Sequence, residues 1–451
     1  MRDSLIVWIV ACCSPGFAQA QQTTKDFIRV QSPVVALEHV RVIDGTGAAA
    51  QADQTIVISG GKITALGKTG VVVVPTDANR MDLSGYSALP GLVGMHDHLY
   101  YPAGGGSGGE LYHDMVFSFP RLYLAGGVTT IRTTGAVEPY TDLEIKKAID
   151  SGKMIGPKIN VTGPYLEGEG LPLIQVHKLT SPEDARRTVE YWAAEGAGSF
   201  KAYNYLTRAE LKAAIDAAHK HGLTLTGHLC SVGFREAAEL GIDDLEHGLF
   251  VDTEFVKDKK PDVCPSPSYA TAADMEISSE PIQTTIKVLV SHHVAVTSTL
   301  PVIEDLIPGG SEPAKKVLDA MSEQARSTYL KERDDSATKA NQPETKFAAG
   351  IRRWRMMFRK EMEFERAFVK AGGLLLAGID PIAGVIPGFA DQREVELRVE
   401  AGFTPLEAIK IASLNGAQFL KERFSYRIAL CGQAGGHDDR ERRPLDPHSG
   451  H

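Results

Sequence analysis

Eight short apolar runs alternate with amphipathic helical stretches between Leu92 and Asp380, and that alternation leaves few folds open. The runs are LVGMHDH, VTTIRTTG, KINVTGPY, GSFKAYN, LTLTGHL, DDLEHG, VAVTSTL and LLLAGID. Between them lie stretches such as SPEDARRTVEYWAAEG, with Ser181 placed as an N-cap, and RAELKAAIDAAHKHG, which ends at Gly222. Alternating β and α units imply a parallel sheet, and eight of them in about 290 residues imply a closed (β/α)8 TIM barrel. DDLEHG is the shortest run, and a long gap from Pro301 to Gly373 separates the last two.

The chain of 451 residues is too long for one ordinary core but fits such a barrel with a smaller appended domain. VVALEHVRVIDG, QTIVISGGKITALG and GVVVVPTD, between Val34 and about Ser87, are β-rich runs without helical periodicity. They predict the N-terminal part of a small β-sandwich over 21–88, with the barrel over 89–420. Hydrophobic and charged contents of 43% and 23% are those of a soluble globular protein. A formal charge of −9 argues against nucleic acid and against an anionic membrane surface as partners. No run of about 20 apolar residues occurs, so no transmembrane segment is expected.

The first 20 residues, MRDSLIVWIVACCSPGFAQA, have Arg2, the apolar run Leu5 to Cys13 and the small-x-small site Ala18-Gln19-Ala20. This pattern predicts a signal peptide cleaved after Ala20, and an exported, periplasmic or secreted protein. The alternative is a lipid anchor through Cys12, in Ile9-Val10-Ala11-Cys12. Removing the segment leaves Cys230, Cys264 and Cys431, too scattered to be read as a disulfide framework. In the gap before the last run, GIRRWRMMFRKEMEFERAFVKAGG and the residues just before it space Phe347, Ile351, Trp354, Phe358 and Phe368 as an amphipathic helix packed outside the barrel.

The barrel makes a demand on chemistry, which should sit at the C-terminal ends of the strands. In LPGLVGMHDHLYYP, residues i and i+2 of an extended strand share one side, so His96 and His98 project together and Asp97 faces away. Lys201 falls late in the fourth run, His228 ends the fifth, His247 the sixth and Asp380 the eighth. Any one of these has a bland reading, such as a polar turn, a snorkelling lysine or a satisfied core histidine. Six metal-competent side chains at the ends of five strands point to a metal site. His292 and His293 lie at the opposite end of the seventh strand and are read as structural. Arg132 is read as a salt-bridge partner inside the barrel. GGGSGGE, Gly104 to Glu110, lacks the spacing of a phosphate loop.

Gly91 through His98, with Lys201, His228, His247 and Asp380, resembles the amidohydrolase superfamily. FKAYNYL, TGHL and LEHGL are similar to its imidazolonepropionase-like and prolidase-like dipeptidase branch, over about Val34 to Leu420. The resemblance implies two divalent cations, zinc in most members, with manganese or cobalt able to substitute. His96, His98 and Asp380 would hold one and His228 and His247 the other, with a carbamate on Lys201 and a hydroxide bridging them. It implies that this hydroxide attacks an amide and that Asp380 carries the proton to the leaving amine. Gly378-Ile379-Asp380 stands where the family more often has Gly-Thr-Asp. Tyr203, Tyr165 and Tyr100, with Tyr101, are candidates for contacting substrate.

The resemblance stops near Ala429. The segment RIALCGQAGGHDDRERRPLDPHSGH has no strand pattern past Arg427, so 421–451 reads as an aberrant tail, and the C-terminal part of the sandwich as missing. A reading-frame change is the expectation this motivates, and His437, His448 and His451 are tail histidines rather than ligands. The favoured function is hydrolysis of a small-molecule amide, such as a dipeptide or N-acyl amino acid, by an enzyme that could be a homo-oligomer. A mononuclear cyclic-amide hydrolase or deaminase is one alternative. A non-catalytic metal or small-molecule binding protein is another.

Overall fold

The computed structural model describes residues 24–102, 111–171, 173–307, 313–340, 346–421 and 428–431. The proposed signal segment, Cys12, the Gly-rich stretch 104–110 and the three tail histidines lie outside them. Of the described residues, 24–31 belong to a separate unit, with one 3-10 turn at Thr24–Phe27.

The second unit opens with a β-rich region of strands β1 (Val34–Val42), β2 (Gln51–Ser59), β3 (Lys62–Lys68), β4 (Asn79–Asp82) and β5 (Ser87–Pro90). β1, β2 and β3 are antiparallel neighbours, whereas β4 and β5 both run parallel to β1 on its other side. Leu37, Val40, Val42, Ile56, Leu83 and Ala88 fill the core of this region. GVVVVPTD is not a strand. Val71 and Val72 donate back to the Lys68 carbonyl in a turn, and Val71 and Val73 are exposed. Valine's preference for strands yields there to Gly70, at φ +83°, and to Pro75.

The barrel begins at β6 (Leu92–Asp97), followed by a short antiparallel pair, β7 (Tyr100–Pro102) and β8 (Tyr112–Asp114). It continues through β9 (Val128–Thr133), β10 (Lys158–Leu166), β11 (Ser199–Ala202), β12 (Thr224–Gly227), β13 (Asp244–Glu246), β14 (Ala295–Ser298) and β15 (Leu375–Ala377). All eight expected barrel strands are present, in sequential order and parallel register. The seam between β15 and β6 is drawn together by Ile379 and Asp380, whose N–H groups both donate to the His96 carbonyl at 3.1 and 2.9 Å.

The helices form where the sequence signals them. Thr207 accepts from the Glu210 N–H while the Glu210 carboxylate accepts from the Thr207 N–H, a capping box that starts the helix Arg208–Lys220. Its buried Leu211, Ala214, Ile215 and Ala218 recur at three- and four-residue spacing and face the strands. Ser181 likewise caps Pro182–Glu195. The gap before β15 holds several helices, the longest being Lys346–Lys370, which buries Ile351, Met357, Phe358, Phe364 and Phe368 in the main core.

Two expectations are corrected. A strand does follow Arg427: β16 (Ile428–Cys431) pairs antiparallel with β5, so an apolar run of four residues suffices to cover that sheet edge. Residues 422–427 and 432–451 lie outside the described residues. Cys230 and Cys264 form a disulfide, because the barrel sets the loops after β12 and β13 side by side. Their separation of 34 residues hid the pairing in the sequence.

Inside the barrel, Arg132 is fully buried and donates to Asp244 at 2.7 Å, to Glu246 at 2.9 Å and to the Met95 carbonyl at 2.8 Å. It is the internal ion-pair partner that the sequence suggested. Leaving two carboxylates buried without it costs about 3–5 kcal/mol, so Arg132→Met is expected to lower the midpoint of chemical denaturation steeply, and a wild-type midpoint would contradict this account. A disulfide closing a loop of this length stabilises by about 3–4 kcal/mol, so a reducing agent is expected to lower the thermal midpoint of the purified chain. An unchanged midpoint, with two thiols newly titratable, would show that the bond contributes nothing.

Candidate functional site

The strand ends bring the sequence-predicted residues to one place. His96 lies within β6 and His98 directly after it, and their rings stand 5.3 Å apart, perpendicular to each other. Lys201 lies on β11, His228 and His247 directly follow β12 and β13, and Asp380 follows β15. Ligand-capable atoms of His96, His247 and Asp380 all lie within 4.8 Å of one another. Asp380 Oδ1 is 3.3 Å from His98 Nε2 and 3.8 Å from His96 Nε2, while its Oδ2 is 3.9 Å from His247 Nε2. The His228 ring centroid is 4.5 Å from that of His247. Lys201 Nζ donates to His96 Nε2 at 3.2 Å. Asp97 points away from this cluster and is fully buried, as the two-residue period requires.

Two of the imidazoles are held from behind, and a third residue through its backbone. Glu246 accepts from His96 Nδ1 at 2.7 Å, and Thr299 bonds His247 Nδ1 at 2.6 Å, so both rings turn Nε2 inward. The Tyr123 hydroxyl accepts from the His98 N–H and donates to its carbonyl. Glu246 is itself fixed by Arg132 and Thr226. Gly378 tolerates no side chain, since a Cβ there would sit 2.4 Å from the His96 backbone nitrogen. Ile379 is buried in the main core, and its N–H donates to the His96 carbonyl.

Burial decides the charges. It pushes the pKa of all four histidines down, well down for His96, His228 and His247, so the imidazoles are neutral. Burial alone would raise Asp380, but the surrounding His96, His98 and His247 hold its carboxyl well below the usual carboxylate range. Burial lowers the Lys201 amine to about 8. Among the described residues, His98 Nδ1, His228 Nε2 and His247 Nε2 are buried without a hydrogen-bond partner.

Three tyrosines wall one side. Tyr203 packs edge-on to His228 at 4.9 Å and to Tyr165 at 4.9 Å; Tyr165 and Tyr100 share a hydroxyl–hydroxyl bond, and Tyr100 stacks on His98 at 4.4 Å. Burial raises all three phenols, which remain protonated. Tyr101 instead donates to the Ala383 carbonyl, away from this wall. Sequence reasoning missed Glu246 and Asp244, although DLEH carries the same signal as HDH: acids two apart on one strand share the interior side.

A family model described as the amidohydrolase family matches residues 87–423. No curated protein matches the chain. Among solved structures, a Xaa-Pro dipeptidase with bound methionine in its active site is 17% identical at a TM-score of 0.59, covering 86% of this chain and 89% of that one. Bottromycin amidohydrolase is 17% identical at 0.62, covering 87% and 79%. The A. niger ochratoxinase is 17% identical at 0.57, covering 87% and 85%. These likenesses carry the fold, and the family model carries membership: with its barrel and strand-end histidines, this chain belongs to the amidohydrolase family, as a hydrolase acting on carbon–nitrogen bonds.

Proposed function

We propose that the chain is an exported hydrolase of dipeptides or N-acyl amino acids whose centre takes two divalent cations, zinc foremost. The observation that carries this reading is the cluster of buried imidazoles around Asp380, in which His228 Nε2 and His247 Nε2 lack hydrogen-bond partners among the described residues. Each such group, left unpaired, costs about 1–3 kcal/mol, a debt that a cation removes. The backing of His96 by a carboxylate is also the arrangement that orients a histidine ligand. His96, His98 and Asp380 would hold one cation, and His228 and His247 the other. Lys201, as a carbamate, would supply a further anionic ligand. Its lowered pKa leaves a share of neutral amine to attack carbon dioxide, forming an N–C bond and releasing a proton, so that an anionic carbamate replaces an ammonium.

Divalent cations in such a cage lower the pKa of water and draw charge from a carbonyl oxygen. The rest belongs to the chain's own residues. Asp380, ionised among three imidazoles, takes the proton of the attacking water and returns it to the leaving nitrogen. Tyr203, Tyr165 and Tyr100 keep their protons and offer hydroxyls and ring faces to the substrate. The likeness to a Xaa-Pro dipeptidase supports a substrate in which an acyl group is joined to an amino-acid nitrogen, as in a dipeptide. The Cys230–Cys264 disulfide supports export, since such bonds persist in oxidising compartments.

One observation favours a second reading. His96, His247 and Asp380 alone make a three-ligand set, enough for a mononuclear cyclic-amide hydrolase or deaminase. Metal content per chain separates the two. About two zinc equivalents, falling in Lys201→Ala, support the bridged centre; about one, indifferent to Lys201, supports the mononuclear one. No metal in a folded chain would leave a binding protein. In the active enzyme, Asp380→Asn is expected to lower kcat by about 10²–10⁴-fold, and kcat within a few-fold of wild type would remove Asp380 from the proton path.

A further inference from the structure

The helix Lys346–Lys370 carries Trp354 and Glu361 seven residues apart, two turns along one face. Both reach the same target, the 3-10 turn Gly248–Phe250 that directly follows His247. The Glu361 carboxylate is fully buried, and its Oε2 accepts from the Phe250 N–H at 2.7 Å. Its Oε1 lies against Gly248 so closely that a Cβ there would sit 1.9 Å away. Trp354 packs edge-on to the Phe250 ring at 5.4 Å and reaches Tyr269 at 6.4 Å, and Tyr269 in turn lies 6.0 Å from His228.

The turn needs holding. His247 itself has a left-handed backbone at φ +63°, and Gly248 follows at φ +66°, so two successive residues sit in a region that non-glycine residues rarely adopt. This geometry turns His247 toward Asp380 while its Nδ1 meets Thr299. The Phe250 carbonyl accepts from the Ala270 N–H at 2.9 Å, and the Phe250 N–H is held from a helix more than a hundred positions later.

We propose that Glu361, with Trp354, is a positioning element for His247: the insertion helix clamps the turn behind that histidine and so fixes the direction of its Nε2. The proposal rests on the reading of His247 as a ligand. Burial and the adjacent Glu365 raise the Glu361 carboxyl well above its usual range, so the side chain acts as a neutral acceptor that glutamine imitates.

The test compares Glu361→Ala, Glu361→Gln, Trp354→Leu and Phe364→Leu in the full chain. Phe364 is fully buried on the same helix, stacked on Phe368, and serves as the control for packing alone. Hydrogen exchange of the amides after His247 is read in metal-free protein, and zinc affinity by competition with a chelator. Glu361→Ala is expected to speed exchange of the turn and to weaken one zinc equivalent, each by about tenfold or more, while Glu361→Gln stays within about threefold of the parent. Trp354→Leu shifts both readouts the same way by less, and keeps the question open to measurement should the alanine variant not fold. Phe364→Leu lowers the thermal midpoint and moves neither. A turn that stays protected in Glu361→Ala, a frayed turn with unchanged zinc affinity, or a Phe364→Leu variant that reproduces both effects would overturn the proposal. A parent chain that binds no zinc overturns the proposed metal centre instead, and the exchange data still decide whether Glu361 holds the turn.

Discussion

The site hangs on the carbonyl oxygen of His96. Two backbone N–H groups from the far end of the barrel, Ile379 and Asp380, converge on it and join the last strand to the first. The same two hydrogen bonds that close the sheet therefore set the distance between His96 and Asp380. Gly378 must be glycine for that approach, because any side chain would strike the His96 backbone. The ring of His96 is fixed independently, through Glu246 and then Arg132, whose guanidinium sits inside the barrel between Asp244 and Glu246. Backbone and side chain of one residue are thus over-determined by two separate networks. Loosening either one would displace the residue that touches Asp380, Lys201 and His247 at once.

Electrostatics follows from that enclosure. Burial disfavours the charged form of the four imidazoles and of the Lys201 amine, while the histidines around Asp380 favour its ionised form. In water such a set would simply titrate. Here the cost of stripping solvent from each charged form selects one protonation pattern, and it is the pattern in which histidine and carboxylate bind cations. The unpartnered nitrogens mark the same point from the side of hydrogen bonding. His228 Nε2 and His247 Nε2 are buried without hydrogen-bond partners among the described residues, which is the state a cation would relieve.

Much of this was legible in the sequence, and the reasons are specific. Strand positions followed from apolar runs that alternate with helical stretches, and the convergence of His96, His228, His247 and Asp380 followed from the rule that a barrel curls its strand ends around one axis. Local patterns failed where another force competed. GVVVVPTD has the composition of a strand, but Gly70 and Pro75 turn it into an exposed loop. IALC is too short a run, beside too charged a tail, to announce a strand, yet the open edge of β5 recruits it. The Cys230–Cys264 bond depends on which loops the barrel sets side by side, a fact that no cysteine spacing encodes. Asp244 and Glu246 were readable by the same two-residue period that singled out His96 and His98.

What lay furthest from sequence reasoning is how the loops beyond the strands are held. A strand delivers a residue to the rim, but the next few positions leave the ladder and must find other partners. Two buried glutamates supply them on different sides. Glu167, just after β10, accepts from the Gly168 and Tyr205 N–H groups and so ties the loop that carries Tyr203 to the end of β10, which carries Tyr165. Glu361, from the insertion helix, accepts from Phe250 behind His247. Both carboxyls are raised, Glu167 to about 7, because burial disfavours their charge. An acceptor that need not be charged can be buried at lower cost than a carboxylate while still satisfying backbone donors. The barrel fixes where the chemistry stands, and side chains borrowed from outside its strands fix which way it faces.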